Sequence, residues 1–125
     1  MKYLKSYIKK SKVTNGTFYH GSYFLTRDAK ELNLPLWITT SKLSAIHFSV
    51  SMKYDEVSKI NKYVGAQSDA VGYVYTLEIS DADMDIKKYG EHILNSGNIK
   101  IIKIEEVKVS GTNSFTKLPK ITKEI

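Results

Sequence analysis

The longest strand signal in the chain is IKIIKIEEVKV, residues 99–109. Its β-branched residues suit a pleated sheet. Ile99, Ile101, Lys103, Glu105 and Val107 share one parity, and Lys100, Ile102, Ile104, Glu106 and Lys108 the other. Neither face is cleanly polar, so this strand is central or twisted, and the chain has to supply strands on either side of it. VGYVYTLEI, residues 71–79, is the strongest of these, alternating imperfectly as a strand buried on both faces does. Shorter strands are expected at Thr17–His20, at PLWITTS and at EHILN.

Between the strands lie helical patterns. Tyr3, Leu4, Tyr7 and Ile8 recur at helical spacing and predict an N-terminal helix over 1–12. A short helix is expected from about Arg27, with Thr26 as its cap, bounded by Asn33 and Pro35. Ser41 caps a third helix whose face is Leu43, Ile46, His47 and Val50. DEVSKINKYVG, with Val57, Ile60 and Val64 as a stripe and Gly65 as a stop, continues or restarts it. Asn15-Gly16 and SGN read as turns, and SDADMDIKKYG as an acidic crossing with at most one helical turn. Residues 112–125 form a basic polar tail, frayed or strapped over the surface. The element order is that of a mixed α+β chain, and 125 residues suit a single domain, 1–125.

Composition narrows the function. Cysteine is absent, which excludes disulfides, thiolate catalysis and cysteine-based zinc sites and suits a reducing, cytoplasmic setting. The lysine-bearing N-terminus has no long apolar run after it, so neither a signal peptide nor a membrane span is expected. The formal net charge of +6 favours an acidic partner, either an acidic protein or a nucleic acid. No GxGxxG and no GxxxxGK[ST] occurs, which argues against a Rossmann or P-loop site. His20, His47 and His92 share no short-range spacing with acidic residues, so no metal site is expected.

Polar groups gather at strand ends in three places: Tyr19, His20 and Gly21; Thr39, Thr40 and Ser41; and Glu91 with His92. Strand ends display chemistry because a rigid backbone aims the group while the neighbouring loops leave it open. Singly, each has a plain structural reading: a packing histidine, a helix cap, a solvated edge carboxylate. In order, they resemble the ADP-ribosyltransferase superfamily. There a first strand ends in an aromatic residue, a His or Arg and often Gly, as in FYHGS. A second element reads aromatic-x-Ser-Thr-Ser before a helix carrying Ala and an aromatic, as in LWITTSKLSAIHFS with Ala45 and Phe48. A strand similar to VYTLEI follows, and a glutamate then opens a hydrophobic strand, as in YGEHIL.

The resemblance spans residues 18–109 and implies a fold of two small, twisted, mixed or antiparallel sheets set at an angle, with flanking helices and NAD bound as substrate between them. It implies catalytic roles for Glu91, on the nicotinamide-ribose 2′-hydroxyl, and for His20, on a ribose hydroxyl. It implies NAD contacts from Tyr19, His20, Gly21, Tyr23, Arg27, Trp37, Thr39 and Ser41: Gly21 by open backbone, Trp37 or Tyr23 by stacking, Thr39 and Ser41 at the floor, and Arg27 toward the pyrophosphate. Many protein-modifying members carry Glu or Gln two residues before the catalytic glutamate. Tyr89 stands there, which argues against an arginine-directed transferase. The tyrosine of the His-Tyr-Glu branch has no clear counterpart, with Trp37 near it and Thr39 matching the other branch. The expected activity is transfer of ADP-ribose from NAD to a macromolecular acceptor, by a small toxin, effector or phage protein acting in a host cytoplasm. The alternatives are an inactive transferase-like domain serving as an inhibitor or interaction module, and a basic nucleic-acid-binding domain that stacks bases on its tyrosines.

Overall fold

The two strongest strand signals run on well past their apolar cores. In the computed structural model, which describes residues 10–87, 90–110 and 118–125, they become β5 (Val71–Ile86) and β6 (Glu91–Ser110), counted in chain order. Before them come β1 (Lys10–Ser22), a 3₁₀ turn at Ala29–Glu31, β2 (Leu36–Thr39), α1 (Lys42–Ser51), β3 (Met52–Asp55) and β4 (Ile60–Tyr63), and after them β7 (Leu118–Glu124). Among the described residues every strand pair is antiparallel. The fold is therefore mainly β, with one α-helix among the described residues, in place of the expected α+β balance.

β5 and β6 form one long hairpin from Val71↔Lys108 to Ile86↔His92. The acidic crossing as far as Ile86 and the SGN turn expected from sequence are absorbed into it, and Lys88 and Tyr89 of that crossing lie outside the described residues. Register slips between Ser80 and Asp83, where Asp81 has a φ of 51° and Gly97 opposite has a φ of 149°. Polar and glycine punctuation here marks a bulge that bends the ladder and does not reverse the chain. β1 pairs with β5 along its whole length, and Asn15-Gly16 lies within that ladder. β7 adds to the far edge of β6, so the last part of the expected tail is a strand. Residues 112–117 of that tail, and residues 1–9 of the expected N-terminal helix, lie outside the described residues. Lys10–Lys12, the end of that helix, are strand.

Strand order is β2-β1-β5-β6-β7, with β2 also pairing with β6. The sheet thus curls until four-residue β2 lies along Leu94–Glu91 of β6 while Thr39 pairs with Tyr19 of β1. Phe18, Leu36, Ile38, Tyr75, Leu77, Met84 and Leu94 fill the inside of the curl. On the other face α1 covers Val74, Val107 and Val109 through Ala45 and Val50. Val74–Leu77 are all buried, as the imperfect alternation predicts for a strand covered on both sides.

Two expected helices are absent. Near Arg27 the chain makes only the 3₁₀ turn, capped by Asp28, whose carboxylate accepts from Lys30 N–H at 2.9 Å, and not by Thr26. DEVSKINKYVG forms the turn and second strand of the β3–β4 hairpin. Its stripe of Val57, Ile60 and Val64 is exposed, so a helix there would have no core to cover. The Asp55 carboxylate instead accepts from Ser58 N–H at 2.9 Å, and Lys59 turns the chain at a φ of 57°.

Candidate functional site

Thr39 is the hinge of the site. At the end of β2 the sheet meets itself, and Thr39 is the register partner of Tyr19 on one side and of Glu91 on the other. That double pairing sets the ends of β1, β2 and β6 side by side, although His20 and Glu91 are 71 positions apart in the chain. The Thr39 hydroxyl is buried and accepts from Ser41 N–H at 3.0 Å, turning the chain out of β2. Ser41 then caps α1, its hydroxyl accepting from Ser44 N–H at 3.2 Å. Thr40 N–H donates to the Gly90 carbonyl at 3.0 Å, and Gly90, at a φ of 74°, immediately precedes β6. A side chain on Gly90 would collide with the Thr40 hydroxyl.

A cavity of about 210 Å³ opens where these ends meet. Tyr19, His20, Gly21, Trp37, Thr39 and Glu91 line it, together with Ile38, Ala45 and Phe48. Tyr23, Arg27 and Ser41 do not belong to the lining. Tyr23 donates its hydroxyl to Asn61 at 2.9 Å and packs on Phe24. Arg27 is exposed on the loop after β1, and Ser41 is spent on the cap. The sequence motif held Ala45 and Phe48 on the helix without assigning them to the wall. Their spacing of three residues on one helix face is the signal that joins them.

His20 is fixed on two sides. Its Nδ1 lies 2.7 Å from the Trp37 carbonyl, and its ring lies beside that of Tyr75, centroids 5.8 Å apart. Tyr75 is fully buried; its hydroxyl donates to the Phe24 carbonyl at 2.8 Å and accepts from Thr26 N–H at 2.6 Å. It thereby holds the loop that leaves β1. Burial lowers the His20 pKa below its ordinary 6.5, outweighing the Trp37 carbonyl, which raises it. The imidazole is neutral at pH 7, its proton is on Nδ1 to meet the carbonyl, and Nε2 is left as an acceptor.

Glu91 is half-buried, and among the described residues its carboxylate has no hydrogen-bond or ion-pair partner. Its backbone carbonyl accepts from Lys87 N–H at 3.0 Å, which closes the turn before it. His92, the next residue, points into the core, where its ring meets Phe18 edge-on, and burial lowers its pKa too. Trp37 is 56% exposed at the cavity's rim. The wall therefore combines a neutral acceptor, the Glu91 carboxylate and three aromatic rings, Tyr19, Trp37 and Phe48. Such a set suits a flat ring joined to a hydroxylated group.

Gly21 has a different role from the expected one. A Cβ there would collide with the Ala45 carbonyl oxygen of α1. The missing side chain lets the helix approach the sheet, and a substitution at Gly21 tests that packing before it tests the cavity. Among the described residues no group of three or more His, Cys, Asp or Glu side chains is arranged to hold a metal ion. Nor is any described helix long and apolar enough to cross a membrane. Comparison of the chain with protein-family models, curated sequences and solved structures finds no match.

Proposed function

We propose that this cavity receives the nicotinamide end of NAD and that the protein transfers ADP-ribose to a macromolecular acceptor. The observation that carries the reading is the double pairing of Thr39, because it draws His20, Trp37 and Glu91 to one cavity from three distant stretches. Trp37, exposed and at the rim, is the ring that stacks on nicotinamide; Tyr23, committed to Asn61, is not. Nε2 of His20 accepts from a ribose hydroxyl. Glu91 accepts from the 2′-hydroxyl of the nicotinamide ribose and faces the anomeric carbon.

Reaction follows from the charge that develops there. The bond between the anomeric carbon and the nicotinamide nitrogen breaks, and its electron pair neutralises the pyridinium. The sugar becomes oxocarbenium-like, and the Glu91 carboxylate stabilises that positive charge. The acceptor's lone pair then closes on the anomeric carbon, and its proton leaves to solvent. The same chemistry underlies the electrostatic half of glycoside cleavage. The fold fits a split-sheet reading in one respect. The bulge at Ser80–Asp83 and Gly97 bends the long hairpin, separating the end that pairs with β2 from the end that pairs with β7.

Nicotinamide release and label transfer from NAD test the reading. Glu91→Gln keeps shape and some hydrogen bonding, so kcat should fall by about 10² while NAD affinity changes little. Equal turnover by the variant rejects Glu91 as the catalytic carboxylate. NAD binding without turnover on any acceptor points to the inactive, interaction-module alternative. Digesting the labelled product separately with protease and nuclease tells an acidic protein acceptor from a nucleic acid.

A further inference from the structure

The cavity cannot enclose a whole dinucleotide. At about 210 Å³ it is smaller than the range of roughly 300–1,000 Å³ that encloses a drug-sized ligand. One aromatic ring and part of a sugar fill it, so a second base has to lie outside, against whatever borders the mouth.

The β3–β4 hairpin contributes no residue to the lining but reaches one of its rings. Phe48 lines the cavity, and its ring meets Tyr63 edge-on with centroids 6.4 Å apart. Register pairs Met52 with Tyr63 and Tyr54 with Asn61, so these four share one face of the hairpin. That face turns toward the body of the protein, since Asn61 accepts from Tyr23. Tyr63 is nevertheless 68% exposed. Lys53 and Lys62 pair with each other on the opposite face, and Lys62 is held by Asp55 at 3.3 Å.

We propose that Tyr63, with Phe48 behind it, is the stacking platform for the adenine of the same dinucleotide whose nicotinamide end fills the cavity. The inference rests on the NAD reading above. It is favoured over a single-stranded nucleic acid on the same rings because such a strand needs cations along the line of its stacked bases. Here the hairpin lysines are on the far face. The platform makes the hairpin a determinant of which half-ligands bind: the adenosine half adds affinity, and the cavity alone takes nicotinamide mononucleotide.

Calorimetry with NAD and with nicotinamide mononucleotide separates the two claims. Base stacking on an aromatic side chain commonly contributes enough that Tyr63→Ala should weaken NAD by about tenfold. Tyr63→Phe should restore it, and nicotinamide mononucleotide should bind all three proteins alike. NAD binding unchanged in Tyr63→Ala overturns the platform and leaves the NAD reading standing. Equal weakening of both ligands also overturns it, because Tyr63 would then act through the cavity wall. If the unmutated protein binds neither ligand, the NAD reading fails and the platform with it. An oligonucleotide that binds the unmutated protein but not Tyr63→Ala, with NAD unaffected, replaces adenine by a nucleic-acid strand as the occupant.

Discussion

Helix α1 has a different kind of neighbour at each side. On its sheet side, backbone meets backbone. Gly21 on β1 lies under Ala45, and Gly72 on β5 lies under Ser49, and a Cβ at either glycine would collide with a carbonyl oxygen of the helix. On its other side the chain runs straight into the β3–β4 hairpin, where Tyr54, Val57, Ile60 and Tyr63 are all exposed. The first region leaves no room for a methyl group, and among the described residues Tyr23 and Phe48 are the side chains that meet the second. The cavity opens between them. Its wall of strand ends belongs to the packed region, and its aromatic rim reaches toward the open one. Rigid positioning and accessible recognition are thus divided between two parts of one small chain.

The division is tested first where packing is tightest. Gly72 is buried but does not line the cavity. Gly72→Val drives a branched side chain into the Ser49 backbone, which cannot rotate away as a side chain can. A loss of about 3 kcal/mol in urea denaturation is expected. An unchanged midpoint would mean that the helix does not need this approach and that the contrast is overstated.

Titration of the buried histidines comes next. His20 and His92 both have pKa values lowered from 6.5 chiefly by burial. Each unfolds to a form that takes a proton more readily than the folded one. Stability is therefore full above pH 6.5, and it declines as pH falls from there toward the folded pKa values. Each histidine contributes a slope of at most about 1.4 kcal/mol per pH unit in that window. Denaturation at pH 7.5 and pH 5.5 reads it, well above the range of Asp55 and Glu106, whose pKa values are lowered chiefly by hydrogen bonds from Ser58 and Thr122. A His20→Gln, His92→Gln variant should lose the difference between the two pH values. A variant as pH-sensitive as the unmutated protein would place the titrating groups elsewhere.

Local chemistry was the legible part of the sequence. Ser41 as a cap, Leu36–Thr39 as a strand and Val71–Ile79 as a well-buried strand depend on residues within a few positions of one another, and each has its expected form. The order of the polar strand ends was legible too: Tyr19, His20, Gly21, Thr39 and Glu91 line one cavity, whereas Thr40, Ser41 and His92 do not. What decided the rest was distant in sequence. Val57, Ile60 and Val64 have helical spacing, but no core lies where a helix would turn them. Gly97 and Asp81 resemble turn residues, but β5 and β6 pair across them and make a bulge. Gly21 suggested an opening for a ligand, and the helix that fills the space above it could be seen only once α1 was placed on β1. Residues 118–124 lack an apolar face, and their strand exists because β6 offers an edge.

A smaller effect is expected at the joint between the two regions. Ser41→Ala removes the oxygen that accepts from Ser44 N–H and should cost about 1 kcal/mol of stability. Thr39 still accepts from the backbone N–H of residue 41 in the variant, so NAD affinity should stay within about twofold, a shift of about 0.4 kcal/mol. A large loss of affinity would make the cap a part of the binding wall and not a support for it.

The smallest effect belongs to the tip of the hairpin. Val57 is 93% exposed, so an apolar side chain there gains almost nothing from the fold. The turn beneath it is set by other groups: Asp55 accepts from Ser58 N–H, Lys59 N–H donates to the Asp55 carbonyl at 2.7 Å, and Lys59 takes the positive φ. None of these uses the Val57 side chain. Val57→Ser should therefore leave the urea midpoint within about 0.5 kcal/mol of the unmutated value. It should leave NAD affinity unchanged as well, because Tyr63 lies at the other end of the hairpin, opposite Met52. The pair Gly72→Val and Val57→Ser brackets the molecule. The first substitution adds carbon atoms where no space exists, and the second removes apolar surface from where nothing covers it. A loss above about 1 kcal/mol in Val57→Ser would mean that the tip is packed in solution, and the open region would then have to be redrawn as a second core.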